Sequence, residues 1–61
     1  MTSDLDIYRA AQATIARHGD RAALHAAHRA DALLALGDME GRAVWHRIER
    51  AIDLGLGPQL A

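Results

Sequence analysis

The stretch "LLALGDMEGRAVWHRI", residues 33–48, decides how the chain folds. It holds a Gly-Asp pair at Gly37 and Asp38, a second glycine at Gly41 and the one tryptophan, Trp45. Two readings compete for it, a phosphate-binding loop and a tight corner between helices. A phosphate loop needs the GxxxxGK[ST] spacing, its lysine and a preceding strand. "GDMEG" has none of these and puts Asp38 and Glu40 where a phosphate would sit. A corner needs a glycine that accepts a left-handed backbone just past one helix, then a residue able to cap the next. Gly37 and Asp38 are that pair. Gly41 falls in the first turn of the second helix, where glycine costs about 1 kcal/mol against alanine. The corner accounts for it if a side chain at 41 would clash with the end of the preceding helix.

The same punctuation recurs outward from this point. Gly19, Gly37 and Gly55 lie 18 residues apart, each after a stretch with helical apolar spacing, and Asp20 follows Gly19 as Asp38 follows Gly37. The composition is rich in Ala, Leu and Arg and poor in β-branched and aromatic residues, which favours helix. Helices are expected over about 4–18, with Ser3 or Asp4 as cap, 21–36 and 39–54. The tail 55–61, "GLGPQLA", is expected to fray or lie across the others. Links this short favour antiparallel neighbours. The fold class is all-α, a compact three-helix bundle with Gly-Asp corners at Gly19-Asp20 and Gly37-Asp38.

The apolar faces fit that plan. Leu5, Tyr8, Ala11 or Gln12, and Ile15 form a stripe in the first helix; Val44, Trp45, Ile48 and Ile52 form a stronger one in the third. The second helix carries Ala23, Ala26, Ala27, Ala30, Leu33, Leu34 and Gly37, an alanine half that permits close backbone approach and a leucine end that supplies most of its apolar area. Asp31 shares a stripe with Leu24, Ala27 and Leu34, so it is expected near the core. Antiparallel helices would bring it level with Trp45. A buried indole N–H needs an acceptor and a buried carboxylate a donor. Asp31 is therefore expected to accept from Trp45, or to pair with Arg47 or Arg29, in a structural role.

No catalytic constellation emerges. Serine occurs only at Ser3, and Thr2 and Thr14 have no activating partner. His25, His28 and Asp31 spell HxxHxxD, but each three-residue step turns about 60° away from the last, so the three do not converge on one ion. A solvent-facing histidine pair is the expected reading, with a metal site across an interface as the alternative. His18 suits a helix C-terminus, and His46 a solvated network with Arg42, Glu49 and Arg50. Arg42, Arg47 and Arg50 make the third helix the most basic. Glu49, Asp53, Asp38 and Glu40 interrupt that charge, so nucleic-acid binding is the weaker reading. No cofactor is implied.

With 61 residues the chain holds one domain at most, and so small a core is marginal for a lone monomer. Without cysteine it has neither disulfides nor a thiolate zinc site to support it. A net charge of −1, with all seven basic residues arginine, gives no bulk attraction to polyanions. The N-terminal residues lack a basic stretch and an apolar core like those of a signal peptide, and no apolar run reaches a membrane span, so a cytoplasmic protein is expected.

The pattern R-A-D-x-L, then G-D-x-x-G, then W-x-R-I-x-x-A-I, over about residues 7–52, resembles that of a group of short bacterial proteins. The "GDMEGRAVW" corner is also similar to that of tetratricopeptide-like helical hairpins. The first resemblance carries no activity; the second implies a hairpin suited to protein contacts. The expected function is therefore a protein-protein interaction module, including association with itself as a homodimer. Its surface is expected at Leu36, Leu54, Leu56 and Leu60, with Ile7 or Tyr8 nearby.

Overall fold

A computed structural model describes residues 3–54. In chain order they form α1 (Asp4–His18), a 3-10 turn (Gly19–Arg21), α2 (Ala22–Ala35) and α3 (Met39–Asp53), with no strand among the described residues. The boundaries lie within a residue of those expected. None of the described helices is long and apolar enough to cross a membrane. Leu56 and Leu60 lie outside the described residues.

The corner between α2 and α3 is built as its sequence suggests. Gly37 has φ +78°, a left-handed conformation that a Cβ would strain. Its amide donates to the Leu34 carbonyl at 3.0 Å, and the Asp38 amide donates to the Leu33 carbonyl at 2.9 Å. These two bonds are the Schellman closure of a helix C-terminus. The Asp38 side chain then accepts from the Gly41 amide at 2.9 Å and so caps α3. Asp38 thus ends one helix and begins the next.

Gly41 corrects one expectation. A Cβ there would lie 2.6 Å from Asp38 Oδ2 and 3.0 Å from its Cγ. The obstacle is the capping carboxylate and not the end of α2.

The first corner differs from the second. Gly19 has φ +58° and its amide donates to the Ile15 carbonyl, ending α1. A 3-10 turn follows before α2 begins, and the α2 cap position falls on Arg21, which makes no side-chain bond to the helix. Asp20 therefore does not cap α2. A capping carboxylate must stand directly before the first helical residue, and the extra turn removes Asp20 from that place. At the other end of the chain, Ser3 and Asp6 form a reciprocal capping box on α1.

The core is mostly alanine. Ala11, Ala26 and Ala30 have no exposed surface, and Ala22, Ile7, Ile48, Ala51 and the polar Thr14 are buried with them. Val44, Trp45 and Ile52 pack against it half-buried, as the third-helix stripe predicts. Helix α1 is turned differently from expectation: Ile7, Ala11 and Thr14 face inward, while Leu5 and Tyr8 are exposed. In α2 the inward stripe is Ala22, Ala26 and Ala30, and Leu24 and Leu34 face outward. Small side chains win these positions because they let backbones approach closely, which larger ones would prevent.

The corner predicts a stability cycle. Asp38→Ala should cost about 1 kcal/mol through loss of the cap. Gly41→Ala should give no gain in the natural background, yet gain about 0.5–1 kcal/mol from helix propensity once Asp38 is alanine. Chemical denaturation of the four proteins checks this; additive effects would contradict the 2.6 Å clash.

Candidate functional site

Two surfaces concentrate chemistry. The first is an apolar groove of about 620 Å³ between α1 and α3. Leu5, Ile7 and Tyr8 form one wall; Ala51 and Leu54 form the other. Leu54 is 60% exposed and Leu5 54%. Asp4, Arg47 and Arg50 stand at the rim. Arg47 reaches across to Asp4 Oδ1 at 2.6 Å, joining the start of α1 to α3. The Asp4 side chain is fully exposed, so this ion pair contributes little to stability.

The second is a cleft of about 480 Å³ bounded by all three helices. Its polar lining is Thr14, Arg17 and His18 from α1, His25 and Arg29 from α2, and Trp45 from α3. The imidazoles of His18 and His25 stack with centroids 4.0 Å apart and planes 18° from parallel. His25 meets the Trp45 ring edge-on at 5.8 Å. The Arg29 guanidinium lies over the indole, 5.5 Å from its centroid. Thr14 is buried, and its hydroxyl donates to the Ala10 carbonyl at 2.7 Å.

Electrostatics follow from this arrangement. Desolvation of the half-buried His25, then the charges of His18, Arg29, Arg17 and His28, hold its pKa below the ordinary histidine value. The stacked rings also keep their in-plane nitrogens from converging on a shared ion. Among the described residues no group of three or more histidines and carboxylates is placed to hold a metal.

The structure redistributes several residues singled out in the sequence. Asp31 is exposed on α2, and no hydrogen bond or ion pair involving it occurs among the described residues. The expected bond to Trp45 is absent because α2 turns its alanines inward and carries Asp31 outward with Leu24 and Leu34. Its expected partners are engaged elsewhere, Arg29 over the indole and Arg47 with Asp4. Trp45 is half-buried against α2, as the corner requires. His25 and His28 do not form a solvent-facing pair: His28 is exposed, but His25 is tucked between His18 and Trp45.

The expected contact surface is divided as well. Tyr8 and Leu54 share the groove. Leu36, 80% exposed, sits at the α2–α3 corner, and α3, with 15 residues and a length of about 22 Å, separates it from Leu54. Ile7 is buried in the core. On α3, His46 lies 3.6 Å from Glu49, and with Arg47, Arg50 and Asp53 they line a depression of mixed charge. No family model, curated protein or solved structure matches the chain.

The histidine stack predicts a pH effect. Because the pKa of His25 is lowered in the folded state, the unfolded chain binds more protons here as pH falls below 6.5, so stability decreases through that window. Thermal melts between about pH 7.5 and 5.5 should show a smaller loss for His25→Gln than for the natural protein. Equal losses would contradict the assignment.

Proposed function

We propose that this chain is a protein-protein interaction module, a compact three-helix bundle that associates with a second copy of itself through the α1–α3 groove. One observation carries the reading: the fully buried residues are alanines, while Leu5, Tyr8 and Leu54 are exposed along one groove. A buried large aliphatic side chain contributes about 1.5–3 kcal/mol, against roughly 0.8 kcal/mol for each methylene-sized group. Beyond Ile7 and Ile48 the bundle thus leaves much of its larger apolar side chains uncovered, and closing the groove would bury those of Leu5, Tyr8 and Leu54.

A second copy suits the groove by charge as well as by shape. A two-fold contact sets each patch against itself. The rim carries Asp4 beside Arg47 and Arg50, so an antiparallel pair of rims sets each acid against the other copy's arginine. No catalytic role is assigned to the chain.

Sedimentation across a wide concentration range tests this. The protein should be dimeric at concentrations on the order of 100 μM and dissociate on dilution. Leu54→Arg or Tyr8→Glu should yield a monomer of unchanged helicity, since both side chains are exposed. A monomer at every concentration would refute self-association and leave only a different protein as the groove's occupant.

A further inference from the structure

We propose that the cleft around Trp45 binds a dianionic oxyanion of the phosphate monoester class, clamped between Arg17 and Arg29. The chain carries eight acidic residues, yet none lines this cleft. Arg17 and Arg29 come from different helices, and among the described residues neither is paired with a carboxylate. Ala10 and Ala13 also line the cleft and contribute only methyl groups to it.

The geometry favours an oxyanion over a generic counter-ion. Arg29 rests over the indole, which holds a guanidinium in place and leaves its edge donors free to fork two oxygens. His18 and His25 stack in the same cleft, so one of the two rings can add an N–H donor to the guanidiniums. Charge sets the valence. Two guanidiniums supply two positive charges, and a phosphate monoester carries about −1.5 to −2 near neutral pH. A monocarboxylate would leave one arginine uncompensated. The bound group would also tie the last turn of α1 to the α2–α3 hairpin.

Trp45, the one tryptophan, is a built-in reporter through its fluorescence and its indole N–H resonance. The probes are inorganic sulfate, whose charge does not change over the working pH range, and then inorganic phosphate and phenyl phosphate. Sodium chloride at matched ionic strength is the control. Sulfate and both phosphates should shift the Trp45 signal saturably, and chloride should not. Arg17→Gln and Arg29→Gln should each weaken sulfate binding by at least about fivefold. Arg9→Gln, outside the cleft, should leave it unchanged. Sulfate should bind more tightly at about pH 5.5 than at 7.5, because protonated His25 adds positive charge. A non-saturating or chloride-like response would overturn the proposal. So would natural affinity in Arg17→Gln, a variant that leaves the Arg29–indole contact intact. Neither result depends on the oligomeric state, so failure here is distinguishable from failure of self-association.

Discussion

The inward alanine stripe of α2 governs this molecule. Ala22, Ala26 and Ala30 recur every four residues, and their small side chains bring α2 close to its neighbours. Close approach gains dense packing but removes little apolar area from water per residue. It also leaves little room for large side chains at the centre, where of these only Ile7 and Ile48 are buried. Leu24, Leu34 and Leu36 on the α2 side, and Leu5 and Tyr8 on α1, consequently end outside. Trp45 has a similar fate, half-buried at the margin of the core and open to the cleft. Both candidate surfaces thus descend from one packing choice.

What the sequence disclosed and what it concealed follow from the same physics. Helix ends were legible because glycine with positive φ and capping side chains act locally. Gly37, Asp38 and Ser3 each perform the role their residue type suggests. The buried face of α2 was legible in part: its alanine-rich half does pack closely, through Ala26 and Ala30, but the stripe through Leu24, Asp31 and Leu34 faces outward, because periodicity weights leucine above alanine while steric fit here does the reverse. Asp31 was misplaced for that reason. In α1 the inward position moves from Tyr8 to Ile7, with Ala11 common to both readings. The first corner hid its 3-10 turn because Gly19-Asp20 looks the same as Gly37-Asp38. The His18–His25 stack spans that turn, and residue spacing gave no hint of it.

The two surfaces differ in character. The groove is apolar with a charged rim and involves α1 and α3. The cleft is cationic, includes an aromatic ring and draws on all three helices. No residue lines both. Occupancy of one leaves the lining of the other uncovered, so a partner and a small ligand can be held together. Both α1 and α3 border the two surfaces: the first half of α1 and the last turns of α3 line the groove, while the last turn of α1 and Trp45 of α3 line the cleft.

The double duty of Asp38 has a consequence for how the chain tolerates change. One residue supplies the amide that seals α2 and the carboxylate that opens α3. There is no spacer between the two motifs, so an added residue at this bend separates them and forfeits at least one. The bend at Gly19 keeps its glycine seal separate from the start of α2 by a turn that no side chain caps. Natural length variation, and insertions made by design, should therefore accumulate at the first bend and be purged from the second.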